Sequence, residues 1–317
     1  MEITPGWWPF WVGAALVLFF AGLRLMSRLY LGGAWRLEAF LLRATATPWQ
    51  GLLIGALASA LVHSSSAVTI GGVALVSAGL LPLENALGLV LGANVGTCLT
   101  VQFLALDLAR LGLGLVVGGA LAGLVLPPRY RRFALALAGL GLILTALYLL
   151  PLGLAPLTRS VAFSRWLDNW TAGVLPAFAA GALATAVIQS STLFTAVTVG
   201  LAQKGLVGLP TAVALVLGAN LGTCTDTLVA AWWGNSAARR VALAHLLLNA
   251  VGGLAFLPVV PLFAALLARI SPSPAGQVAL AHLLFNLACS LAALPFTGAV
   301  ARWLTRWPTP LRGSSPG

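Results

Sequence analysis

Apolar positions along this chain fill whole runs, and the polar positions that interrupt the runs are few and recurrent. The first run, about Phe10 to Leu29, has the length of one bilayer span. It follows Trp7 and Trp8, with Trp11 at its start, and no basic stretch precedes it, so it reads as a first span rather than a cleaved leader. Gly51 to Val62 and Ala67 to Leu80 are each too short to cross, and His63 to Ser66 lies between them. Two half-length helices meeting at a polar tip predict a re-entrant hairpin, which is tolerated at membrane depth only inside protein or beside a cavity. Glu84 to Ala93 and Cys98 to Leu108 flank Asn94 to Thr97, which predicts a full span unwound at its centre. Leu111 to Leu126 and Phe133 to Leu150 predict two more spans, and Pro151 to Asp168 a linker with a short interfacial helix.

The hairpin and broken span then recur. Residues 55–100 and 181–226 align at a constant offset without a gap, and 23 of 46 positions are identical by direct count. HSSSAVT (His63 to Thr69) matches QSSTLFT (Gln189 to Thr195), and GANVGTCLT (Gly92 to Thr100) matches GANLGTCTD (Gly218 to Asp226). Chance likeness between apolar segments would not keep these polar groups in register, so the chain is internally duplicated. The repeat cores are 50–110 and 171–235. Three crossings between equivalent points place the copies antiparallel, as in carriers built from inverted repeats. Closing helices over 238–304 carry ALAHLLLN, ending at Asn249, and ALAHLLFN, ending at Asn286. In each, a His and an Asn four apart share one helix face, and they read as packing groups. Residues 309–317 form a short polar tail. The expected fold is an all-α polytopic membrane protein of inverted structural repeats, each with a re-entrant helical hairpin and a discontinuous transmembrane helix.

Composition agrees with the pattern. Only 7% of the 317 residues are charged and the mean hydropathy is +1.01, whereas a soluble domain is roughly a quarter charged. The net charge of +11 fits arginines at lipid headgroups, and no basic cluster has the interleaved aromatics of a nucleic-acid site. Cys98, Cys224 and Cys289 lack disulfide or zinc spacing and read as small packing residues. No GxGxxG, Walker or HExxH sequence supports a nucleotide-driven pump or a zinc protease. His63 and Ser64 have no evident orienting carboxylate, so an enzyme is not expected.

The chemistry sits at the tips and breaks. His63, Ser64, Ser65 and Ser66, with Gln189, Ser190, Ser191 and Thr192, can donate to an oxyanion beside the N-termini of the half-helices. Two facing tips would surround a tetrahedral anion without a fixed positive charge. Asn94, Thr97 and Thr100, with Asn220, Thr223 and Thr225, offer oxygens suited to a hard cation such as sodium. Asp226 is the sole acid of the second module, and an intramembrane carboxylate is a site candidate for a cation or for balancing an anion's charge.

Duplicated QSSS-type tips, each followed by G-x-N-x-G-T, closely resemble the sodium-dependent phosphate cotransporter family: the type II sodium–phosphate cotransporters and their bacterial relatives. The resemblance covers Gly51 to Thr100 and Ala172 to Thr227 and reaches the AHLLxN segments. It implies a single transport domain over 1–308 in the cell inner (plasma) membrane, crossing many times. It implies symport of inorganic phosphate with sodium as coupling ion, no other cofactor, and alternating access. By the same likeness phosphate contacts His63, Ser64, Ser65, Ser66, Gln189, Ser190, Ser191, Thr192, Asn94 and Asn220. Sodium is assigned to Ser65, Thr97, Thr100, Ser191, Thr223, Thr225 and Asp226. His63 stands where the family has Gln, and Thr192 where it has a third Ser. Proton coupling, another oxyanion such as sulfate, and a passive anion channel are the competing loads and modes. The expected partners are phosphate, sodium and the lipid bilayer, with homodimer packing left open and no nucleic acid.

Overall fold

The computed structural model describes residues 5–31, 45–106 and 108–306. The expected tail, 309–317, and Asp107 lie outside the described residues. Every regular element described is helical, and six helical stretches are long and apolar enough to cross a bilayer. The protein is a multi-span membrane protein.

Helix α1 (Trp8–Leu31) packs against the later α6 (Pro128–Gly153). Between them come α2 (Pro48–Val62), α3 (Ser65–Ser77), α4 (Leu83–Ala105) and α5 (Gly112–Val125). Helix α2 starts with a reciprocal cap: Thr47 Oγ1 accepts from Gln50 N–H, and Gln50 Oε1 accepts from Thr47 N–H, with Pro48 at the first helical position. Helices α2 and α3 form the first hairpin, and α2 lies along α4. Helix α5 spans 14 residues, short of the span expected from the sequence, and rests on α6.

The linker region is more ordered than the sequence suggested. Helix α6 runs through Pro151 to Gly153, and α7 (Ala155–Thr158) and α8 (Val161–Trp170) follow. Helix α8 turns by 109° into α9 (Val174–Ile188), the first limb of the second hairpin. Its second limb is α10 (Ser191–Gln203), and α9 lies along α11 (Leu209–Gly222), continued by α12 (Cys224–Trp232).

The break expected at Asn94–Thr97 is absent, because α4 is one continuous helix of 23 residues. In the second copy the only interruption is Thr223, whose φ of −62° and ψ of −23° remain helical. The motif glycines serve close approach instead of unwinding. A Cβ on Gly92 would overlap the Leu52 carbonyl oxygen of α2, and one on Gly218 the Phe178 carbonyl oxygen of α9. Hairpin limb and span therefore touch backbone to backbone, a packing that small residues permit in membranes.

The closing region is a second duplication. Helix α13 (Ser236–Phe256), a 3₁₀ turn at Leu257–Val259 and α14 (Val260–Ile270) are matched by α15 (Pro274–Ala293), a 3₁₀ turn at Leu294–Phe296 and α16 (Thr297–Arg306). Helix α13 braces α3 and α12, and α15 braces α10, α11 and α4. The two spans are innermost: 78% of the apolar stretch of α4 and of α11–α12 is buried, against 22% for α1.

Candidate functional site

The two tips have the same local geometry. His63 ends α2 at φ 56°, ψ 30°, and Gln189 ends α9 at φ 58°, ψ 28°. They are the only non-glycine residues with positive φ among those described. The left-handed region costs a residue with a Cβ something, and its use twice at matched positions marks a conformation that the surroundings hold in place. Ser64 and Ser190 follow in extended geometry and cap the next helices. Ser64 Oγ accepts from Ala67 N–H at 3.2 Å, and Ser190 Oγ from Leu193 N–H at 3.3 Å. A cap uses the oxygen lone pair and leaves the hydroxyl proton free to donate.

Ser65 and Ser191 open α3 and α10. Both are buried, and neither side chain makes a hydrogen bond among the described residues. Each sits in the first helical turn, where backbone N–H groups lack intrahelical partners and the helix dipole is positive. The two tips thus present paired, uncommitted hydroxyl donors at helix N-termini, a setting that suits an oxyanion.

Each tip is tied to the span of its own repeat through its left-handed residue. His63 Nδ1 lies 2.6 Å from Thr100 Oγ1 on α4, and Gln189 Nε2 donates to Thr225 Oγ1 on α12 at 2.9 Å. Each tip is also tied to the other repeat through its third hydroxyl. Ser66 donates to Asp226 on α12, and Thr192 and Thr97, on α10 and α4, share a hydrogen bond of 3.3 Å. The fold therefore gathers both tips, Thr97, Thr100, Thr225 and Asp226 into one interlinked cluster. Thr223 is set apart, because its hydroxyl donates back to the Ala219 carbonyl at 2.9 Å.

Asn94 and Asn220 are turned to the closing helices rather than to the tips. Asn94 Nδ2 donates to Asn249 Oδ1 at 3.1 Å, and Asn220 and Asn286 donate to each other. Asn249 and Asn286 are the acidic-free polar partners that the sequence reading left among packing groups. The signal was there in the repeated His-x-x-x-Asn spacing. His245 Nδ1 lies 2.9 Å from Thr227 Oγ1. His282, at the matching position, is fully buried and both its ring nitrogens lack a partner among the described residues.

Asp226 is only 8% exposed. Its Oδ2 accepts from Ser66, and its Oδ1 is enclosed without a hydrogen-bond partner among the described residues. The orphaned carboxylate oxygen is a hard donor of the kind that cations take, whereas Thr225 Oγ1 accepts from Gln189 and donates to the Gly222 carbonyl at 2.8 Å.

Comparison with known proteins agrees with this layout. A family model described as Na+/Pi-cotransporter matches residues 18–151 and 155–290, one stretch for each hairpin-and-span module. The YqeW protein of Bacillus subtilis is 31% identical over 268 residues, covering 82% of this chain and 86% of the relative. A protein of Escherichia coli K12 named putative inorganic phosphate export protein YjbB is 34% identical over 237 residues, 74% of this chain but 44% of the relative. This chain therefore spans less than half the length of that relative. The human sodium-dependent phosphate transport protein 2C is 41% identical over 88 residues, 26% of this chain and 14% of its own. No solved structure matches the chain. A match over both modules, with a relative aligned along most of both chains, is decisive: this polytopic membrane transporter belongs to the Na+/Pi-cotransporter family.

Proposed function

We propose that this protein is a secondary active transporter that couples sodium to inorganic phosphate by alternating access. The observation that carries the reading is the pair Ser65 and Ser191, buried, with hydroxyls that make no hydrogen bond among the described residues, and placed at the N-termini of α3 and α10. Phosphate is held between the two tips, with His63, Ser64, Ser66, Gln189, Ser190 and Thr192 around it. Sodium takes oxygens of Asp226, Thr225, Thr97 and Thr100, with Ser65 and Ser191 shared between ion and anion. Asn94, Asn220 and Thr223 act behind this shell, since their side chains are engaged elsewhere.

The hairpins are re-entrant in this reading. Their limbs of 13 to 15 residues are shorter than the roughly 20 needed to cross. The repeats are inverted in this reading, and the bonds Ser66–Asp226 and Thr97–Thr192 join one repeat to the other. Rocking one module against the other about these bonds exposes the tips to each side in turn. The location is the cell inner membrane.

The test is radiolabelled phosphate uptake into proteoliposomes with and without an inward sodium gradient, with arsenate and sulfate as competitors. Accumulation above equilibrium, driven by sodium and blocked by arsenate, is the expected result. Accumulation without sodium, or blockage by sulfate alone, rejects the coupling or the anion. The name of the Escherichia coli relative favours a second reading of direction, export. Sodium-dependent efflux from phosphate-loaded vesicles exceeding uptake under mirrored gradients would select it.

A further inference from the structure

Asp226 stands where the first repeat has Thr100, so the second polar break carries a carboxylate that the first lacks. Thr100 is bonded within its own repeat, to His63. Asp226 is bonded across the repeats, to Ser66, 160 residues away. Its second oxygen is enclosed and without a donor among the described residues. A buried carboxylate with half its acceptor capacity empty is costly to keep ionised unless a cation completes it.

The tip hydroxyls are unequally committed. A serine hydroxyl has one proton to give. Ser65 and Ser191 keep theirs, and Ser64 and Ser190 use only a lone pair as caps. Ser66 spends its single proton on a carboxylate, whereas Thr192, its equivalent, meets only the neutral hydroxyl of Thr97. While Ser66 points at Asp226, it presents no donor to an anion, and the carboxylate beside it repels one.

We propose that the Ser66–Asp226 hydrogen bond is a latch exchanged between the two solutes. A monovalent cation seated on the Asp226 oxygens neutralises the carboxylate and displaces the Ser66 proton. The freed hydroxyl turns to donate to the oxyanion at the tips. No proton is transferred; one hydrogen bond changes acceptor. Asp226 then links cation to anion through Ser66 of the first tip. The inference rests on the proposed sodium–phosphate function.

The test uses the purified full chain in lipid nanodiscs and separates the two solutes. Binding of radioactive sodium is measured without phosphate, for the wild type, Ser66→Ala, Ser66→Thr and Asp226→Asn. Phosphate binding is then measured with sodium and with choline. If Ser66 competes with the cation, Ser66→Ala binds sodium about tenfold more tightly, the size of one hydrogen bond to a charged group. Its phosphate binding is weakened, and Ser66→Thr, which has the hydroxyl of Thr192, restores both values. Asp226→Asn binds phosphate equally in sodium and choline. Sodium binding by Ser66→Ala that is unchanged or weaker, with Ser66→Thr folded and normal, overturns the latch. Wild-type protein that binds sodium in the phosphate-free arm yet neither binds nor accumulates phosphate overturns the functional reading instead, and the latch with it.

Discussion

Asn94 on α4 and Asn249 on α13, 155 residues apart, meet side chain to side chain at 3.1 Å. Asn220 and Asn286 make the corresponding pair between α11 and α15. The thiols complete a crossed brace: Cys98 Sγ donates to the His282 carbonyl on α15 at 3.5 Å, and Cys224 Sγ to the His245 carbonyl on α13 at 3.6 Å. Each closing helix is thereby bonded to both spans. Replacing Asn249 or Asn286 by Leu leaves a buried amide unpaired and should cost about 1–3 kcal/mol. Removing both members, as in Asn94→Leu with Asn249→Leu, should cost less than the sum of the single changes. Thermal unfolding in detergent, followed by size-exclusion fluorescence, reads both quantities. Additive losses would show that the pair carries no interaction.

Glycine substitutions separate packing from local conformation. A methyl group at Gly92 meets the Leu52 carbonyl, and one at Gly218 meets the Phe178 carbonyl, while Gly71 on α3 has open space around it. Gly92→Ala and Gly218→Ala should push hairpin limb from span, lowering the unfolding temperature by several degrees and abolishing most transport. Gly71→Ala should be neutral or slightly stabilising, because alanine is the better helix former. Equal behaviour of all three would remove the backbone contact as the reason for these glycines.

The duplication, the hairpins and the polar tips were legible in the sequence because a fixed offset preserves both residue types and local dihedrals. The unwinding expected at Asn94–Thr97 was misread, and of the break expected at Asn220–Thr223 only Thr223 interrupts the helix. Glycine and asparagine within a span fit either unwinding or close packing, and only the neighbouring helix decides between them. Here Gly92 meets α2 and Asn94 finds Asn249, so α4 needs no exposed backbone and stays helical. Pro258 and Pro295 each lie within a single 3₁₀ turn, at Leu257–Val259 and Leu294–Phe296, beyond which the chain continues as helix. The cross-repeat bond of Ser66 to Asp226 had no sequence signature, because it depends on how the two modules are set against each other.

His63 gives a test of tip geometry. The left-handed conformation at φ 56° excludes β-branched side chains far more strongly than His or Gln. His63→Gln copies the residue at position 189 and keeps a donor within reach of Thr100, so phosphate uptake should stay within about threefold of the wild type. His63→Val loses both the conformation and the hydrogen bond to Thr100, and uptake should fall at least tenfold. Robust transport by His63→Val would show that the tip tolerates another backbone path.

Ser65→Ala and Ser191→Ala address the anion site most directly. Neither hydroxyl supports the protein through a hydrogen bond among the described residues, so its removal should leave the unfolding temperature within a degree or two. A donor to a charged oxyanion contributes about 1.5–3 kcal/mol, so each variant should lose roughly tenfold or more in apparent phosphate affinity. The two losses should be similar, because the tips share dihedrals and burial. Uptake kinetics across a phosphate series, at saturating sodium, measures them. Normal affinity in both variants would mean that the uncommitted serines meet no anion, and that the substrate binds elsewhere along the spans.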